Sequence, residues 1–107
     1  MNLLQETIAK LKEENKYESD VLWCGKIKSD DGGFGDQIIG YFTWAEFKIL
    51  ADKHYDSGFG SPEVNEYLII VGKDWWLERY EYDGSECWKY KTMPKKPENK
   101  SIIKVFN

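Results

Sequence analysis

Histidine and cysteine are almost missing from this chain of 107 residues: His54 stands alone, and the thiols are Cys24 and Cys87. A metal centre of imidazole and thiolate ligands needs three or four donors at short spacings, so that chemistry and the cofactors that depend on it are not expected. A serine–histidine–acid triad would have to use His54 with Ser57 or Ser61, and no Gly-x-Ser-x-Gly elbow is present. The two cysteines lie far apart inside apolar patterns with no Cys-x-x-Cys, which predicts two buried free thiols, with a disulfide between them as the minor alternative. Long apolar runs are also lacking, and none approaches the ~20 residues a membrane-crossing helix requires. Residues 1–15 contain Gln5, Glu6, Lys10, Lys12, Glu13 and Glu14 rather than the apolar stretch of an export leader. The expected compartment is therefore the cytoplasm.

Aromatic residues are abundant. They make up 16% of the chain, with five Trp and seven Tyr. Large rings suit half-buried sheets and protein interfaces equally well. A hydrophobic content of 41% beside 32% charged residues belongs to one globular domain with a modest core. The net charge of −4 is uneven. Residues 1–88 hold nine basic against eighteen acidic side chains, and residues 89–107 hold six lysines against Glu98. An acidic body argues against general nucleic-acid binding and fits a protein partner with a basic surface.

Periodicity places the elements. Leu4, Ile8 and Leu11 mark an amphipathic helix within residues 1–16. Residues 20–28 and 37–42 read as strands flanking the Gly- and Asp-rich stretch 29–36. That stretch lacks the alternating acids and closing Glu of a calcium loop. Thr43-Trp44-Ala45-Glu46 matches a capping box, with Phe42 and Phe47 set to staple the helix start. The apolar stripe of this second helix reads as Trp44, Phe47, Leu50 and Ala51. Ser61-Pro62 suggests one helical turn to Asn65. Residues 66–71, 75–82 and 86–91 read as strands, 93–100 as a polar linker, and 101–106 (SIIKVF) as a short last strand. The fold class that follows is α+β, a mostly antiparallel twisted sheet of five to six strands with two helices packed on one face.

The Asp83-Gly84-Ser85 signal marks a hairpin. Pairing Tyr82 with Glu86 across a three-residue loop would gather Trp76, Tyr80, Tyr82, Trp88 and Tyr90 on one side. A two-residue loop would split them. The ring count favours the three-residue loop.

The candidate partner-binding surface joins acidic loops to this aromatic hairpin: Asp30, Asp31, Asp56, Phe59 and Glu63 with Trp76, Glu78, Tyr80 and Trp88. The alternative is a small-molecule or nucleotide site at the Gly58–Ser61 loop, where an anion would meet free backbone N–H groups. A hydrolase using Asp56, Glu63 or Glu78 would need two of these carboxylates in one deep pocket.

Tyr55-Asp56-Ser57-Gly58-Phe59-Gly60, Gly72-Lys73-Asp74-Trp75-Trp76-Leu77-Glu78-Arg79 and Glu81-Tyr82-Asp83-Gly84-Ser85-Glu86 together resemble small uncharacterised proteins of phage and prophage genomes, over residues 40–92. Cys87 stands where that resemblance leads one to expect another aromatic. The resemblance implies an accessory protein of the host cytoplasm, and by analogy with small acidic phage proteins one that binds and blocks a host protein; the expected function is a non-enzymatic protein-interaction module. It brings no activity with it.

Overall fold

The computed structural model describes residues 1–29, 36–56 and 61–107. Helix α1 (Leu3–Glu13) starts on Asn2, whose side chain accepts the Gln5 N–H at 3.0 Å. It ends in a Schellman motif: Lys16 N–H reaches Leu11 C=O and Asn15 N–H reaches Lys12 C=O, with Asn15 at φ 59°. A short 3-10 turn, Glu18–Asp20, leads into β1 (Val21–Ser29). Strand β2 (Asp36–Phe42) then feeds α2 (Trp44–Ala51), and β3 (Leu68–Gly72), β4 (Trp75–Tyr82) and β5 (Ser85–Thr92) complete one antiparallel sheet of order β2-β1-β3-β4-β5. The capping box is present. Thr43 accepts the Glu46 N–H, Glu46 accepts the Thr43 N–H, and the Phe42 and Phe47 rings stack 6.4 Å apart.

Both helices cover the same side of the sheet. Directly paired residues share a face, so Phe42, Cys24, Ile70, Leu77 and Tyr90 form one row across all five strands. Leu11 of α1 and Phe47 and Ala51 of α2 close over this row, with Trp75 and Trp88 at its flanks. The opposite face carries no helix among the described residues. No described helix is long and apolar enough to cross a membrane.

Several expectations need correction. The hairpin loop has two residues, not three: Tyr82 pairs with Ser85, Tyr80 with Cys87 and Arg79 with Trp88. Asp83 and Gly84 sit at φ 52° and 84°, the paired left-handed geometry whose twist matches the flanking strands. The rings are therefore split. Trp88 and Tyr90 lie beneath the helices, and Trp76, Tyr80 and Tyr82 lie on the far side. Residues 101–106 form no strand, and residues 62–65 form no helical turn. Cys24 is buried, but Cys87 is exposed because it shares the outer face with Tyr80. Leu50, expected in the α2 stripe, is 70% exposed. With only two turns, α2 buries Phe47 and Ala51 and leaves Leu50 beside them in solvent.

Candidate functional site

Among the described residues, the proposed site residues lie in three separate places. Asp30, Asp31 and Phe59 lie outside the described residues. Trp76, Glu78 and Tyr80 project from the uncovered face of the sheet. Trp88 is buried on the helix side, and the exposed Asp56 and Glu63 sit beyond the sheet, where Glu63 accepts the Asp56 N–H at 3.0 Å.

Trp88 belongs instead to a buried polar cluster that the sequence reading missed. Its indole N–H donates to Thr7 Oγ1 at 2.9 Å, and Thr7 donates to Leu3 C=O at 2.7 Å, which locks α1 to β5. Arg79, with a side chain only 3% exposed, stacks its guanidinium 4.6 Å from the Trp88 ring centroid. It donates to Glu6 at 3.1 Å, to Tyr55 Oη at 3.2 Å and to Glu86 at 3.5 Å. Tyr55 in turn donates its hydroxyl to Glu6. Burial alone would pull Arg79 down, but the bond to Tyr55 and the charge and bond of Glu6 outweigh it and hold the guanidinium above its ordinary value. Burial, helped by Glu6, pushes the Tyr55 hydroxyl up to about 12.

The anion site expected at the Gly58–Ser61 loop falls on residues 57–60, outside the described residues. The N–H groups of Glu63 and Val64 hold a carboxylate, at 2.8 and 3.1 Å, and it belongs to Glu86 of the same chain. The three-way arrangement of Arg79, Glu6 and Glu86 ties α1, β4, β5 and the 63–64 segment together. Every carboxylate in it accepts bonds from the chain itself. Chemically it is a clamp rather than a reaction centre, and no group of three metal-binding side chains exists among the described residues.

The uncovered face is the other candidate. Pairing puts Trp23, Val71, Trp76 and Lys91 in one row and Tyr41, Gly25, Ile69, Glu78 and Lys89 in the next, with Tyr80 beyond. Gly25 makes room for the Trp23 indole, because a Cβ there would come within 2.6 Å of that ring. Ile69 is only 4% exposed although no described helix covers it, so neighbouring side chains, including this indole, shield it. Around this apolar centre Tyr41 is 78% exposed. Lys91 pairs with Glu78 at 3.1 Å and Lys89 lies 3.7 Å from the Tyr80 ring centroid, so the β4–β5 side of the face is charge-balanced rather than acidic.

A cleft of about 290 Å³ opens on the helix side, between α2 and residues 63–68, with Leu3, Phe42, Phe47, Leu50 and Leu68 among its walls. Set against known proteins, the chain matches no family model, no curated protein and no solved structure.

Proposed function

We propose that this chain is a non-enzymatic protein-interaction module of the phage accessory type, acting in the host cytoplasm on a host protein. The observation that carries the reading is the sheet face opposite the helices, which presents Trp23, Trp76, Tyr41 and Tyr80 around an apolar centre with no helix over it among the described residues. Aromatic side chains at such a face give large contact area at low conformational cost. The contact itself is apolar. The acidic surplus of residues 1–88 acts at longer range and speeds encounter with a basic partner surface.

The test compares capture from a host lysate by the parent chain and by Trp76→Ala/Tyr80→Ala. The expected result is one stoichiometric partner, held less tightly at high salt and lost from the double variant. Equal capture by the two proteins, or none by either, would overturn the proposal. The small-molecule or nucleotide alternative, placed by the sequence at the Gly58–Ser61 loop, predicts a metabolite-dependent rise in melting temperature.

A further inference from the structure

Residues 101–106 are a second unexplained apolar surface, independent of the sheet face. Ile102 is 90%, Val105 80% and Phe106 83% exposed, and Ile103 is nearly as bare. Four large apolar side chains in one run, covered by nothing among the described residues, are what a contact with another molecule would bury. The arm is also basic. Lys95, Lys96, Lys100 and Lys104 stand against Glu98, while residues 1–88 are strongly acidic.

The cleft beside α2 matches the arm in shape class and charge. Its walls are Leu3, Phe42, Phe47, Leu50 and Leu68, and the exposed Ile49 and Leu50 extend the apolar surface outward. Lys53, His54 and Glu63 are on the wall, the N-terminal ammonium lies 2.9 Å from His54 Nδ1, and Asp52 and Asp56 adjoin the lining residues Ala51 and Tyr55, so three carboxylates stand against Lys53 and the ammonium. That set is net acidic.

Within one chain the arm does not occupy the cleft: Ile102, Ile103, Val105 and Phe106 are all exposed. It leaves the sheet at Thr92, whose partner is Trp75, near the end of the sheet opposite the cleft wall Leu68. A second molecule can present its arm to the cleft directly.

We infer that the occupant of the cleft is the 101–106 arm of a second copy of this chain, with Phe106 and Ile103 seated among Phe47, Leu50 and Leu68 and Lys104 near Glu63. Reciprocal exchange closes the pair with two-fold symmetry. Neither the cleft nor the arm uses the uncovered sheet face, so the pair leaves that face open and the inference does not depend on the proposed function.

Sedimentation velocity at high micromolar concentration tests it. The full chain is expected at twice the mass of one chain, with association weakened by salt. Phe106→Asp in the arm and Leu50→Glu in the cleft each weaken the pair by about tenfold or more. Both side chains are exposed within one chain, so the monomer fold survives, and circular dichroism checks that. Mixing the two variants restores a pair held by one intact arm in one intact cleft. Trp76→Ala leaves the pair unchanged. A monomeric full chain overturns the inference. So does a dimer indifferent to Phe106→Asp and Leu50→Glu, or one that Trp76→Ala breaks while Leu50→Glu spares it, which would place the contact on the sheet face.

Discussion

Replacing Arg79 by methionine should destabilise the fold severely. Methionine keeps most of the apolar stem against Trp88 but removes the charge. Glu86, itself 3% exposed at its side chain, then keeps the N–H groups of Glu63 and Val64 and loses the guanidinium beside it. Glu6 keeps the Tyr55 hydroxyl. Breaking a buried ion pair from one side costs about 3–5 kcal/mol, because a carboxylate is left desolvated without its counter-charge. A chain of this length has a total stability of roughly 5–15 kcal/mol, so the loss takes a large share of it. Urea denaturation followed by tryptophan fluorescence measures the change as a fall in midpoint at constant slope. The discriminating companion is Arg79→Met/Glu6→Gln/Glu86→Gln, which removes the stranded charges and recovers a substantial part of the loss. If Arg79→Met costs under about 1 kcal/mol, or the triple variant is no more stable than the single one, then the cluster is hydrated in solution and the clamp argument fails.

Three further outcomes follow from the same geometry. Tyr55 titrates near 10 when unfolded and about 12 when folded, so its contribution is complete below about pH 10 and is lost as pH rises toward 12. Urea midpoints between pH 9 and 12 fall for the parent chain, and Tyr55→Phe flattens that part of the profile; the Cys24 thiol, pushed up to about 12 by burial, adds a decline of the same sign that Cys24→Ser removes. A thiol reagent should label one cysteine quickly, the exposed Cys87, and Cys24 only on unfolding; two fast equivalents would contradict the packing of β1. Gly25→Ala sets a Cβ 2.6 Å from both the Gly40 carbonyl oxygen and the Trp23 ring, so β1 and β2 must part or the indole must lift. The expected cost is about 1–3 kcal/mol with a shifted tryptophan emission, and a neutral substitution would show that Trp23 does not lie on the sheet.

The elements with local causes were legible in the sequence. Thr43 and Glu46 are three residues apart because a capping box needs that spacing, and the box formed where its letters stand. The five strands and the placement of both helices on one face follow from period and connection length. What escaped was anything decided by register or by partners distant in sequence. Arg79 reads as a surface residue of an amphipathic strand until Glu6, 73 residues away, is brought beside it. Glu86 reads as a surface acid until the 63–64 N–H groups close on it. The one available signal was Glu86 two residues before Trp88 on the same face as Arg79, visible only with the two-residue loop.

That loop decides more than pairing. With three residues, Trp88 would have faced Tyr80 and the rings would have formed a single layer, to be either buried entirely or exposed entirely. With Asp83-Gly84 alone in the turn, β4 turns Trp75, Leu77 and Arg79 inward and Trp76, Glu78 and Tyr80 outward, so one strand supplies both the core and the open face. The inward set carries a charge that must be matched, which is why α1 delivers Glu6 and β5 delivers Glu86 to the same point. The outward set carries rings in excess of what solubility favours, partly offset by Lys89 over Tyr80 and Lys91 against Glu78. A sheet built this way spends its polar groups on holding the helices and its aromatic groups on the side where no helix lies. Inserting one glycine after Gly84 tests that logic directly. A register shifted by the longer loop would move Trp88 out of the Thr7 and Arg79 contacts and unfold the domain, whereas a loop that merely bulges would leave stability within about 1 kcal/mol of the parent and show that strand pairing, not the turn, sets the faces.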